Sequence, residues 1–569
     1  MAKYAIISLL CLGSLTALGF MITKPSSMAA SNSSIIVTNN HWASEAASLI
    51  LSKGGNAIDA AIAAGFVLSL TEPGSSGIGG GGYALTLTAS NRQKWAYDGR
   101  ETAPHTASSA WFLDQNGRPL DFEQAVLSAK SVGVPAEVAL FYRLHKERGK
   151  LPWNQLPLPA ALLARRGFPI SPLLHQFLSD HARILIKNPD IKKIFFKGDR
   201  IKDVGSQIKN PVFAETLMRI AENPGDFYHG KLADEIIADI NHAAKSTLFN
   251  RQDFSDYQIR RYPAICTDYR SRYRICSVPP SSSGGITVQE LLGIYALRYQ
   301  GHQYSNPEWM YYFLEASKLA YADRNQYLAD PAFEKQPVSG LLSKAYWRER
   351  ASTISLSARA TPVAAGFPAG ARKGYGPDDS IKTPGTTSIA IADSNGNAIS
   401  MTLTIEGPFG SHLFTHGFFL NNELTDFSFT ATNKKGLRIA NAVAAGKRPR
   451  SSMAPVMVFK NNGQLYALSG SPGGSEIICY VAKNLILMLD MNMSPAAAGA
   501  SPNLCALNTA PVIENTEGPF PAASALRAMG EQIVREDMLS GVTNILRSPG
   551  GAWLGAADPR REGVVLKGR

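Results

Sequence analysis

The sequence predicts a chain of the α+β class, with helices and strands segregated along its length. Three observations carry this. Residues 120–350 read mainly as helix, residues after 385 alternate polar and apolar like strands, and a segment rich in Ala, Gly, Pro and Ser from 357 to 384 divides them. With 569 residues, 45% of them hydrophobic and only 18% charged, the chain can bury a large core and is neither disordered nor a coiled coil.

The N-terminus reads as an export signal over residues 1–29. Lys3 supplies the positive start, residues 5–21 the apolar run, and Ser27-Met28-Ala29-Ala30 the small residues for cleavage. The run is marginal for a membrane span, which needs about 20 apolar residues. A retained anchor is the alternative. Leu10 before Cys11 is too large for lipoprotein processing, and no later run is long and apolar enough to cross a bilayer. The expected product is exported, periplasmic or extracellular.

A helix over 44–51 ends at Gly54-Gly55, and Asn56 caps the next, over 57–70. The run Gly77-Ile78-Gly79-Gly80-Gly81-Gly82 leads into a strand over 83–88 and lacks a following Gly-Lys-Ser/Thr, so it is no phosphate loop. Close backbone packing explains it better. A strand follows over 95–98, then helices over 137–147, 159–166, 216–222, 231–244, 288–295 and 309–325.

Strands over 388–393 and 398–405 flank Ser394-Asn395-Gly396, a strong turn signal. A three-residue loop with Gly396 in the left-handed conformation sets Thr386 opposite Thr404. A two-residue loop would set Thr387 there instead. Further strands are expected over 418–420, 456–459 and 465–469.

The formal charge of +12 falls to +10 once Lys3 and Lys24 leave with the signal. The basic residues are scattered and form no nucleic-acid module, so attraction of small anions is the simpler meaning. Cys266 and Cys276 flank a plausible hairpin turn and are compatible with a disulfide or with free thiols. His412 and His416 have i,i+4 spacing, but no glutamate follows His412, and Gly410 and Gly417 argue for a loop, so no metal is expected. Gly470-Ser471-Pro472-Gly473 does not fit the Gly-x-Ser-x-Gly elbow of a serine hydrolase.

Gly385-Thr386-Thr387 holds the chemistry. A threonine hydroxyl is a poor nucleophile without a base, and a cut before Thr386 would free one, its own α-amine.

The chain also carries an ordered set of motifs. They are Gly54-Gly55-Asn56-Ala57 with Asp59-Ala60-Ala61, the glycine run, Arg100-Glu101-Thr102-Ala103-Pro104, Leu151-Pro152-Trp153, and Pro279 with the residues up to Gly285. Ala320-Tyr321-Ala322-Asp323-Arg324, Thr386-Thr387, and the stretches 420–428, 447–453 and 470–474 complete it. From about Ala43 onward the sequence resembles a gamma-glutamyltranspeptidase. The resemblance implies an N-terminal-nucleophile hydrolase, an αββα sandwich of two stacked sheets between helical layers. It implies a precursor that cuts itself between Gly385 and Thr386, giving a heterodimer of a large subunit, 30–385, and a small one, 386–569.

By the same resemblance Thr386 is the nucleophile, Thr404 the second threonine that hydrogen-bonds it, and Gly473 and Gly474 the oxyanion donors. Arg100, Ser451 and Ser452 grip the donor α-carboxylate, while Glu423 and Asp426 hold its α-ammonium. Glu406 stands where many relatives have asparagine, and still favours an ammonium. Ser388 replaces a histidine common in relatives, which bears on the cutting rate or the local packing. Residues 429–446 would cover the pocket. The implied donors are glutathione or other γ-glutamyl compounds, the acceptors amino acids, dipeptides or water, with no cofactor. The rivals are a related acylase, acting on glutaryl or cephalosporin side chains or on poly-γ-glutamate, and an uncut homologue that only binds.

Overall fold

The structure, a computed structural model, describes residues 33–358, 361–378, 385–516, 520 and 522–568. The export signal over 1–29, with Cys11, and residues 359–360 and 379–384 of the dividing segment lie outside the described residues.

Strand β1, Ser34–Thr38, leads into helices α1, His41–Ser52, and α2, Ala57–Thr71. Asn56 caps α2 in a full capping box with Asp59, a feature worth about 1 kcal/mol. Every residue of α2 is buried, as befits a helix apolar all round. The Asp393 carboxylate accepts from the Ala57 N–H at 3.1 Å, fixing this helix start against a loop far along the chain.

Strands β2, Gly81–Thr88, and β3, Gln93–Gly99, come next, then helix α3, Glu137–Arg148. The glycine run packs backbone on backbone, as expected. A Cβ on Gly80 would lie 2.0 Å from the Thr404 carbonyl oxygen. The region expected to be mainly helical also contains strands β4, Arg260–Pro263, β5, Ile265–Tyr269, and β6, Tyr273–Ser277. Cys266 and Cys276 face each other across the β5–β6 hairpin as a disulfide.

Helices α4, Gly284–Arg298, and α5, Glu308–Tyr327, precede the dividing segment. That segment is not wholly extended loop, because Tyr375–Gly376 pairs with Arg438–Ile439. Then come β7, Thr386–Ala392, β8, Ala398–Thr404, β9, Val456–Lys460, and β10, Leu465–Ser469. Helix α6, Ile477–Leu489, is followed by strands β11, Thr543–Arg547, β12, Trp553–Ala557, and β13, Val565–Gly568. A second disulfide, Cys479–Cys505, ties α6 to the chain beyond it.

The strands form two sheets, ordered β13-β1-β7-β8-β2-β3-β4 and β12-β11-β10-β9-β6-β5. Side chains of β7 alternate. Ile389 and Ile391 enter the core shared with α1 and α2, and Ala390 and Ala392 the core between the sheets. Helices α1 to α3 cover one sheet, and α4 and α6 the other, with α5 packed on α4. This is the expected αββα sandwich. Both faces of β7 are buried, which pins its register, because a one-residue slip would exchange the two faces.

Candidate active site

Thr386 is the first residue of β7, and it pairs directly with Thr404 at the end of β8. The loop between them has Gly396 at φ 86°, so the three-residue loop prevails over the two-residue one. Thr386 Oγ1 donates to Thr404 Oγ1 at 3.3 Å. The Thr404 hydroxyl donates to the Gly385 carbonyl at 2.5 Å and accepts from the Glu406 N–H at 2.8 Å. One hydroxyl thus touches Thr386 Oγ1 and polarises the carbonyl that precedes this residue. Gly385 packs against the backbone of the next loop, and a Cβ there would lie 2.3 Å from the Glu406 carbonyl oxygen. Thr387 points to the opposite face, where its hydroxyl donates to Asn39 Oδ1 at 3.4 Å.

Gly473 and Gly474 form the turn between β10 and α6, with φ of 131° and 56°. This region favours glycine, and at Gly473 a Cβ would also meet the Tyr480 ring at 2.4 Å. Ser388 hydrogen-bonds Thr543 between the sheets at 2.9 Å. A Cβ on Gly470 would come within 2.6 Å of its Oγ, so space around this serine is tight.

Arg100 follows β3 and is buried. Its guanidinium is paired with Glu423 and with Asp426, both from one short helical turn, Glu423–Asp426. None of the three is a solvated surface charge. Removing them from water is costly, and the mutual pairing offsets that cost. Burial raises the Glu423 carboxyl well above the usual carboxylate range, Arg100 opposes this, and Glu101 adds to it. Burial also pushes Glu101 up to about 8. The two buried carboxyls act on each other, and Glu101 helps to hold Glu423 toward its neutral form. The cluster sets three carboxyls, Glu101, Glu423 and Asp426, around one guanidinium, an acidic surrounding that suits an ammonium.

Ser451 Oγ accepts from the Met453 N–H at 3.1 Å. Ser452 Oγ accepts from Arg324 Nη2 at 2.6 Å. Residues 429–446 lean on the acidic turn, with Asn441 Nδ2 donating to the Asp426 carbonyl at 2.7 Å.

A single cleft is lined by Thr386, Thr404, Glu406, Gly474, Arg100, Glu423, Asp426, Ser451 and Ser452, with Gly473 buried beside it. Met453, Ser475 and Ile477 also line it, and sequence reasoning did not single them out. It also gave no role to Glu101 or Arg324, although both stand inside quoted motifs. The available signal was the charge itself. Arg324 stands near the end of the helix expected over 309–325, and Glu101 stands directly beside Arg100.

The gamma-glutamyltranspeptidase family model matches residues 43–568. The chain belongs to the gamma-glutamyltranspeptidase family. A glutathione hydrolase proenzyme of Escherichia coli is 33% identical over 521 residues, spanning 90% of this chain and 87% of that protein. An acylase proenzyme of a Pseudomonas species is also 33% identical, over 94% of this chain and 93% of its own. Among solved structures, a cephalosporin acylase from Bacillus halodurans superposes with a TM-score of 0.82 at 26% identity, covering 97% of this chain and 99% of that one. Membership makes the protein an enzyme of the gamma-glutamyltranspeptidase type, with an N-terminal-nucleophile hydrolase fold.

Proposed function

We propose that the protein cuts itself between Gly385 and Thr386 and then hydrolyses or transfers the γ-glutamyl group of glutathione or related compounds. The observation that carries this reading is the presence of buried Glu423 and Asp426 in the same cleft as Thr386. A donor without an α-amino group would have no use for them.

In the first step Thr386 Oγ attacks the Gly385 carbonyl carbon, with Thr404 donating to its oxygen. The C–N bond breaks as the ester forms, and the nitrogen takes the proton. Water then hydrolyses the ester, leaving a Gly385 carboxylate and a free Thr386 α-amine. That amine, with an ordinary pKa of about 7.7–8.0, serves as base for the hydroxyl.

In the second step Thr386 Oγ attacks the γ-carbonyl of the donor. The backbone N–H groups of Gly473 and Gly474 hold the oxyanion, a contribution of about 3–4 kcal/mol per donor in comparable sites. The leaving amine departs with a proton, and water or the amine of an amino acid or dipeptide resolves the acyl-enzyme. Arg100, Ser451 and Ser452 orient the donor carboxylate, and Glu423, Asp426 and Glu406 its ammonium. The working enzyme is a heterodimer of residues 30–385 and 386–569, exported by the signal and freed of it in the process.

The test is to incubate purified protein with glutathione and a dipeptide and identify every product. Released glutamate or a γ-glutamyl dipeptide supports the reading. Turnover of a glutaryl amide but not of glutathione would instead support the acylase reading, which the similarity to acylase proenzymes keeps in play. An intact Gly385–Thr386 bond with no turnover would sink both.

A further inference from the structure

Arg324 is buried at the C-terminal turn of α5, yet no carboxylate lies within ion-pair distance of it among the described residues. Its partners are neutral. Nε donates to Ser283 Oγ at 2.8 Å, Nη1 to Asn325 Oδ1 at 2.8 Å and Nη2 to Ser452 Oγ at 2.6 Å. Burial lowers its pKa to about 9, and Arg450 adds to the effect. Arg450 has its own counter-ion in Asp378, at 2.8 Å. Arg100 is likewise already matched by Glu423 and Asp426. Among the described residues, Arg324 is thus the guanidinium beside this cleft with no carboxylate in direct contact, Asp378 and Asp426 acting on it only from farther away.

That charge acts at the cleft through one oxygen. Ser452 Oγ accepts from Arg324 and lines the cleft. Its own proton has no acceptor among the described residues, so it is available to a ligand. Ser451 has the same polarity, accepting from the Met453 N–H with no acceptor for its own proton among the described residues. Two hydroxyls that accept from within and donate outward form a site for an anion. A buried guanidinium behind one of them strengthens that donor. The same helix face braces the other end of the site. Tyr321, three residues before Arg324, hydrogen-bonds the Ser475 carbonyl beside Gly474.

We propose that Arg324 is a positioning residue that selects donors bearing a carboxylate on the carbon that carries the ammonium, acting through Ser452. This rests on the γ-glutamyl reading, but its test does not depend on that reading alone. Three 4-nitroanilides separate the groups: γ-glutamyl, with ammonium and carboxylate; glutaryl, with the carboxylate only; and 4-aminobutanoyl, with the ammonium only.

Arg324→Gln is expected to raise KM roughly 10- to 100-fold for whichever carboxylate-bearing donor the native enzyme turns over. It should leave kcat and the 4-aminobutanoyl reaction within about twofold of the native values. Arg324→Lys should recover part of the loss. Ser452→Ala should reproduce the loss, and adding Arg324→Gln to it should cost little more. Equal losses on carboxylate-bearing and carboxylate-free donors, or full additivity of the two variants, would overturn the proposal by showing a merely structural role. Native preference for the glutaryl anilide would refute the γ-glutamyl reading and leave this comparison standing. If Arg324→Gln fails to fold, Arg324→Lys and Ser452→Ala decide the matter. For protein that turns over no anilide, calorimetric binding of L-glutamate, glutarate and 4-aminobutanoate gives the same contrast.

Discussion

Thr386 and Thr404, eighteen residues apart, meet across one hairpin, whereas Arg100 and Asp426 are 326 residues apart and meet only in the folded core. The first pair belongs to an end of the cleft built from neutral hydroxyls, carbonyls and glycine backbone. The second belongs to an end built from buried charges. At Thr386, a ladder register and a tight loop supply the geometry, and little desolvation opposes it. At Arg100, each charge must find partners before it can be buried. The two ends should therefore fail differently when altered.

The largest effect should come from Thr386→Ala, which removes the reacting oxygen while leaving the hairpin paired. Both the cut and turnover should vanish, seen as one uncut band with no release from a γ-glutamyl anilide. Residual turnover would show that the nucleophile lies elsewhere.

Arg100→Ala should injure the charged end in a different manner, by leaving Glu423 and Asp426 buried without their counter-ion. A stability loss of about 3–5 kcal/mol is expected, together with a strongly raised donor KM. Denaturant melts and steady-state kinetics measure the two. A normal KM would remove Arg100 from donor recognition.

Thr404→Val takes away the hydroxyl that polarises the Gly385 carbonyl and keeps the branched shape. The cut should slow by about 10²–10³-fold, with little loss of stability. Timed gel analysis of freshly folded precursor reads this directly. An unchanged rate would mean that strand pairing alone activates the bond.

A smaller effect is expected with acid. His412 lies in the loop after β8 near His181, and burial lowers its pKa to about 4 from an ordinary 6.5. Across that window the unfolded chain binds a proton that the folded chain does not. The stability this histidine supports is therefore intact above pH 6.5 and is lost as the pH falls toward 4, amounting to roughly 2–3 kcal/mol at most. His412→Asn, tolerated at a φ of 61°, should flatten the melting temperature between those pH values. A slope equal to that of the native protein would assign the acid sensitivity to other groups.

Much of the neutral end was legible in the sequence. The Ser394-Asn395-Gly396 turn and the alternation on either side gave the hairpin and offered Thr386 opposite Thr404 as one of two registers, and the glycine run announced close backbone packing; the structure chose the register and set β2 beside β8. The receptor residues became legible only through the resemblance, because spacing says nothing about charges that meet across hundreds of residues. Strand β4 escaped a helical reading of its region, since it takes its partner from β3, whereas the hairpin turn read between Cys266 and Cys276 is the one that joins β5 to β6. Glu101 and Arg324 stood in quoted motifs without a role, because their importance lies in what surrounds them.

The sequence by itself determined the features governed by backbone sterics and side-chain period. These are the cap at Asn56, the hairpin turn at Ser394-Asn395-Gly396, and the glycines where a Cβ has no room. The tertiary structure alone decided which charges are balanced. It set Arg100 between Glu423 and Asp426, buried Glu101 where it acts on Glu423, and left Arg324 facing Ser452 with no carboxylate at ion-pair distance among the described residues. Local rules reach only a few residues along the chain, while the cost of a buried charge depends on every group the fold brings near it.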